Sequence, residues 1–376
     1  MNPILKLIDY GQSYWLDNLS RHMIKTGALK KRITEEGLRG MTSNPNIFDK
    51  AISNSDAYDD QIRELVKQKK SVDQIYEALV VKDVQDACDL FRPVYDESNG
   101  LDGYVSLEVS PYLARHTERT MDEARRLFSK VNRPNCLIKI PGTVEGLAAI
   151  EQMLYEGINI NITLLFSIKR YEEVAEAYMR AMERRFSEGK NLSDITSVAS
   201  FFLSRIDVLT DKLLHHRILP EDRGKGNTRA EQLLGKAAIA SAKLAYQSFK
   251  KIFSGDRWEK LADNGARLQR PLWASTSTKN PKYSDVMYVE PLIAENTVNT
   301  MPEETIDAFA DHGQIAPNTV EEDLDESRKH LKMLDEVGIN LDYVTQQLED
   351  EGIQKFIDPF RALLKTIEDA IKTYSS

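Results

Sequence analysis

The chain has 376 residues, enough for one large α/β domain or two ordinary ones with a sizeable core. Its 41% hydrophobic and 29% charged residues are those of a globular protein, and a net charge of −9 argues against a nucleic-acid-binding surface. The two cysteines, Cys88 and Cys136, supply neither a metal-binding spacing nor a disulfide framework. Met1-Asn-Pro-Ile-Leu-Lys6 lacks the apolar core of a signal peptide, and no apolar run reaches the roughly 18 residues of a membrane span. A cytoplasmic protein with no membrane partner is expected.

In chain order, β-type runs fall at 13–17, 38–43, 104–109, 136–140, 158–164, 195–202, 270–275 and 286–289, with helical patterns between them. A stretch at about 46–100, including Ser71 to Val81, reads as a helical insertion. Ser167 to Phe186 and about Thr228 to Phe253 carry apolar residues at helical spacing. Thr300-Met-Pro-Glu303 has the form of a capping box opening a helix through Ala310. Glu321 to Glu326 reads as a solvated helix start, and about 320–376 as extra C-terminal helices. Alternating strands and helices predict a (β/α)8 TIM barrel as a single domain over 1–376. A doubly wound sheet is the competitor, but no Gly-x-Gly-x-x-Gly or P-loop supports it.

Within Cys136-Leu-Ile-Lys-Ile-Pro141, Lys139 places an ammonium in an otherwise buried strand. Burying an unpaired charge is costly, and lysines held in such places form Schiff bases with ketones. Strand side chains alternate between faces, so the polar set of each strand can be sorted from the apolar set. Asn159, Asn161 and Thr163 oppose Ile158, Ile160, Ile162 and Leu164. By the same rule Ser13, Trp15 and Asp17, then Tyr104, Ser106 and Glu108, then Leu137 and Lys139 point inward. So do Ser200 and Phe202, and also Pro271, Trp273 and Ser275. Asp17, Asn44, Glu108, Lys139, Thr163, Ser200 and Ser275 would then converge at the C-terminal mouth, where barrel enzymes carry their sites. The scattered histidines do not form a metal set. Arg39, Arg115 and Arg119 are candidates for salt bridges at the mouth.

With those residues located, the chain resembles the transaldolase family in its longer bacterial form. The likeness is carried by Trp15-Leu-Asp-Asn-Leu-Ser-Arg21, Gly40-Met-Thr-Ser-Asn-Pro-Asn46, Ser106-Leu-Glu-Val109 and Leu137-Ile-Lys-Ile-Pro141. It continues through Gly157-Ile-Asn-Ile-Asn-Ile-Thr-Leu-Leu-Phe-Ser167, Val198-Ala-Ser-Phe-Phe-Leu-Ser-Arg-Ile-Asp207 and Leu272-Trp-Ala-Ser-Thr-Ser-Thr-Lys-Asn-Pro281. The resemblance implies a circularly permuted barrel of the class I aldolase type, working on sugar phosphates without metal or organic cofactor. It also implies transfer of a dihydroxyacetone unit from sedoheptulose 7-phosphate to glyceraldehyde 3-phosphate in the non-oxidative pentose phosphate pathway.

By that resemblance Lys139 is the Schiff-base lysine, Asp17 the proton-transfer acid, and Glu108 with Thr163 the pair that holds a water. Asn44, Asn161, Ser200 and Phe202 line the donor site, and Arg205, Ser275 and Lys279 meet the phosphate. Position 279 departs from shorter members, which carry arginine in that loop. Two rivals are a fructose 6-phosphate aldolase and a catalytically silent sugar-phosphate binder. The aldolase branch has glutamine in place of Glu108 and tyrosine in place of Phe202, and the silent binder would have lost the charged residues. Monomer and homodimer are both left open.

Overall fold

The structure is a computed structural model that describes residues 2–218 and 228–374. Among them, eight parallel strands close into a barrel in sequence order. They are β1 (Gln12–Leu16), β2 (Gly40–Met41), β3 (Tyr104–Glu108), β4 (Cys136–Pro141), β5 (Ile160–Leu165), β6 (Ser197–Phe202), β7 (Arg270–Ala274) and β8 (Thr297–Met301). With helices packed around the outside, this is a (β/α)8 TIM barrel. Ile138, Ile140, Ile160 and Ile162 are fully buried, as expected where parallel strands are covered by helices. Among the described residues, no helix is long and apolar enough to cross a membrane.

The last strand is not where the apolar pattern puts it. Val286, Tyr288 and Val289 are buried, but they lie in a turn closed by Val289 N–H to Val286 O (2.9 Å) and followed by a 3₁₀ turn, Glu290–Leu292. The true β8 is Thr297-Val-Asn-Thr-Met301, whose polar side chains bond to groups outside the strand. Thr297 Oγ1 accepts from Gln12, and Asn299 Nδ2 donates to Tyr288 O. Thr300 therefore sits in a strand and caps nothing; the next helix, Glu303–His312, starts after Pro302, with Glu303 and Glu304 in its first turn.

The inward face of β7 is also the reverse of the simple alternation. Trp273 packs edge-on against Phe201, which lies on the helix side of β6, and donates to Leu292 O at 3.0 Å. Arg270 instead reaches through the barrel floor to Ser13 Oγ (2.7 Å) and Asp102 Oδ1 (3.2 Å). Ser275 still arrives at the mouth because it follows the strand in a left-handed conformation, φ 55°. Above that floor, Trp15 fills the space where a Cβ at Gly40 would lie 2.6 Å from the indole.

Helical expectations hold with shifted ends. Ser71 and Gln74 form a full capping box, and the helix runs on to Glu97. The stretch from Thr228 divides into Arg229–Gln232 and Ala237–Ile252, broken at Gly235 (φ 68°). In the C-terminal region lie Leu324–Glu336 and the long helix Leu341–Tyr374; residues 375 and 376 are outside the described set. Arg115 joins Glu145 (3.3 Å) to Glu349 of that last helix (3.1 Å).

Candidate active site

At the C-terminal end of the strands the barrel opens into a cavity of about 870 Å³. Asp17, Asn44, Lys139, Thr163, Ser200, Phe202, Arg205, Ser275 and Lys279 all line it. Strand register explains the core of this set: Glu108 pairs with Lys139 across β3 and β4, and Lys139 with Asn161 across β4 and β5. Glu108 and Asn161 stand beside the cavity rather than on its wall.

Lys139 is 4% exposed. Its Nζ donates to Ser43 O at 3.0 Å and lies 3.3 Å from Glu108 Oε2, so its charge is matched by a carboxylate rather than left alone. Neither carboxyl oxygen of Glu108 has a hydrogen-bond partner among the described residues, and the same is true of buried Thr163 Oγ1. Burial drives the Glu108 carboxyl above the ordinary carboxylate range, against the pull of Lys139 and with help from the Asp17 charge. A carboxylate in this state is a stronger base than usual.

Asp17 follows β1 and is fixed at both ends. Its N–H donates to Met301 O (2.8 Å), and its Oδ1 accepts from Thr42 Oγ1 (2.7 Å), which meets Thr300 Oγ1 at 2.7 Å. Burial raises its proton affinity as well, opposed by the Thr42 bond and by the charges of Lys139, Arg205 and Lys279. Two carboxyls of raised proton affinity therefore share one cavity with one lysine.

The two amides, Asn161 and Asn44, are held differently. Asn161 is fully buried, accepts from Ser200 Oγ (2.7 Å) and donates to Ser106 Oγ (3.0 Å). Asn44 caps the helix Pro45–Ser53, with Oδ1 accepting from Ile47 N at 3.1 Å, so its NH₂ is the end left for the cavity.

At the other end, Arg205 sits in the first turn of the helix Ser204–His215, and its Nη1 is buried without a partner among the described residues. Its guanidinium carbon is 5.4 Å from the ring centre of Phe202 and 5.8 Å from that of Phe356. Burial lowers the proton affinity of both Arg205 and Lys279; the charges of Asp17 and Glu108 oppose this at Arg205, and that of Glu304 at Lys279. The Lys279 ammonium rests against Ser277 Oγ, and Ser275 Oγ meets Ser204 Oγ at 2.9 Å.

Sequence reasoning missed several of the residues here. Thr42 and Ser43 lie inside the Gly40 to Asn46 motif and were within reach of it. Phe356 was not: it is one apolar residue among many on the C-terminal helix, and only packing brings its ring 5.9 Å from Lys139 Nζ. Among the described residues, no group of three or more His, Cys, Asp or Glu is placed to hold a metal ion.

A protein-family model described as Transaldolase/Fructose-6-phosphate aldolase matches residues 14–367. The chain is 50% identical over 373 residues to a protein of Trichodesmium erythraeum named Transaldolase, covering 99% of this chain and 98% of that one. It is 48% identical over 381 residues to Transaldolase 2 of Nostoc sp. (strain PCC 7120), covering 100% and 99%. It is 46% identical over 374 residues to Transaldolase of Thermobifida fusca, covering all of both chains.

Proposed function

Because the chain belongs to the transaldolase/fructose-6-phosphate aldolase family and is a transferase of the transaldolase type, we propose how its own residues carry out the transfer. The donor is sedoheptulose 7-phosphate and the acceptor glyceraldehyde 3-phosphate, giving erythrose 4-phosphate and fructose 6-phosphate in the non-oxidative pentose phosphate pathway of the cytoplasm.

Lys139 gives a proton to Glu108 and attacks the donor's C2 carbonyl, forming a carbinolamine. Glu108 then returns a proton to the C2 hydroxyl, which leaves as water, and the nitrogen is left as a protonated imine. Glu108 Oε1 and Thr163 Oγ1, which have no hydrogen-bond partner among the described residues, suit the two side chains to hold that water. Asp17 takes the C4 hydroxyl proton while the C3–C4 electron pair moves into the imine, and erythrose 4-phosphate leaves. The three-carbon enamine stays bound to Lys139, with Asn44, Asn161 and Ser200 around its hydroxyls. It attacks the acceptor aldehyde, Asp17 returns the proton, and hydrolysis frees fructose 6-phosphate. The imine is the electron sink, so this sequence calls on no organic cofactor. Arg205, Ser275 and Lys279 hold the sugar's phosphate, helped by the N-terminus of the helix Ser204–His215.

The observation that carries this reading is the contact between buried Lys139 and Glu108, 3.3 Å apart beside a cavity that also holds Asp17 and Arg205. Glutamate and phenylalanine at positions 108 and 202 favour transfer over the aldolase alternative. Borohydride with fructose 6-phosphate should leave a mass adduct on Lys139, and no adduct would refute the scheme. Efficient release of free dihydroxyacetone without an acceptor would favour the aldolase instead.

A further inference from the structure

The loop between β7 and β8 carries Ser275 and Lys279, and it is pinned by two similar tyrosine–aspartate pairs, one buried and one half-buried. Tyr288 Oη donates to Asp207 Oδ2 (2.8 Å), and Tyr283 Oη donates to Asp211 Oδ2 (2.6 Å). The remaining oxygen of each carboxylate accepts a backbone N–H near the start of the helix Ala237–Ile252: Ala238 N to Asp207 (2.8 Å) and Gly235 N to Asp211 (2.8 Å). Both aspartates stand one turn apart on the helix Ser204–His215, which also carries Arg205. Asp207 is 1% exposed and Asp211 8%.

The tie extends to Lys279. Thr278 Oγ1 donates to Ser284 O (2.7 Å), closing a short turn that holds Lys279 at one end and Tyr283 at the other. Tyr283 packs so closely on Gly235 that an added Cβ there would lie 2.9 Å from its ring. Nothing in the proposed chemistry uses these four side chains, yet they fix the distance between a loop cation and a helix cation facing the same cavity.

We infer that Asp207–Tyr288 and Asp211–Tyr283 are positioning pairs that set the spacing between Lys279 and Arg205, and so the site's preference for phosphorylated over unphosphorylated ketoses. This rests on the reading of Arg205 and Lys279 as phosphate contacts. Phenylalanine at 283 and 288 removes only the hydroxyls and keeps the ring packing. Tyr283→Phe/Tyr288→Phe should raise the KM for fructose 6-phosphate about tenfold, with kcat within about twofold, as expected for two lost hydrogen bonds. Borohydride trapping of Lys139 by unphosphorylated fructose should keep its concentration dependence. An unchanged KM, or an equal weakening for both sugars, overturns the inference. Arg205→Ala and Lys279→Met are the reference variants. If neither changes the preference for phosphate, the phosphate reading fails and this inference fails with it. If they do and the phenylalanine pair does not, the pairs alone are excluded. Should the double variant fold poorly, Thr278→Val opens the same turn and carries the same expectation.

Discussion

The two ends of the cavity are built in different ways. The lysine end is made of neighbouring strands, β3 to β5, where backbone register alone sets Glu108, Lys139 and Asn161 side by side. The end proposed to bind phosphate is made of a helix start and a loop, and side-chain ties hold it in place. Bond-making steps tolerate little displacement, and the residues proposed for them stand on paired strands. Binding an anion asks mainly for charge at about the right distance, which a tied loop can supply.

If that contrast is right, damage at the lysine end should appear in kcat and damage at the phosphate end in KM. The largest effect belongs to Lys139→Ala, which should abolish turnover while circular dichroism shows the fold retained; any measurable ketose cleavage by this variant would break the contrast. Removing the lysine need not leave a buried charge, because Glu108 already binds its proton more tightly than an ordinary carboxylate and can become neutral.

Next comes Asp17→Ala, expected to slow carbon–carbon cleavage by roughly 10²- to 10⁴-fold, the usual worth of a general acid–base group. Single-turnover trapping should show imine formation far less affected; equal slowing of both steps would mean Asp17 serves Lys139 directly. Arg205→Ala should raise the KM for fructose 6-phosphate by about ten- to a hundredfold, since hydrogen bonds to charged groups are worth about 1.5–3 kcal/mol. A matching fall in kcat would show that the phosphate end also orients the reacting carbon.

A further prediction reads stability rather than turnover. Burial raises the Asp207 carboxyl from 3.8 to about 7, despite the bonds from Ala238 and Tyr288. The folded protein thus holds this proton more tightly than the unfolded chain. Its contribution to stability is full below the ordinary value and is lost as pH rises through about 7. Melting temperatures of Asp207→Asn should fall less steeply than those of the parent between pH 4 and 7. Parallel curves would show that the proton is not held there.

The lysine end was largely legible because its message is local. A lysine amid isoleucines, and asparagines alternating with isoleucines, declare both the strand and the face that turns inward. The phosphate end was only partly legible. Alternation pointed the wrong way in β7, because Arg270 has partners on the barrel floor and Trp273 packs on Phe201 outside. The left-handed step at Ser275, which restores that residue to the mouth, leaves no mark in a serine. β8 was hidden for a related reason: its buried polar side chains bond outside the strand, Thr297 to Gln12 and Asn299 to the Tyr288 carbonyl, so no apolar run announced the strand.

What the sequence determined by itself was periodicity: which segments alternate, which residues sit out of place in apolar runs, and therefore a barrel with a charged mouth. Tertiary structure decided everything that depends on partners from distant segments. It brought Phe356 from the last helix over Lys139, and it gave Arg270 and Trp273 their faces. The physical reason is that backbone geometry is a local property, whereas the cost of burying a polar or aromatic group depends on neighbours that only the folded chain supplies.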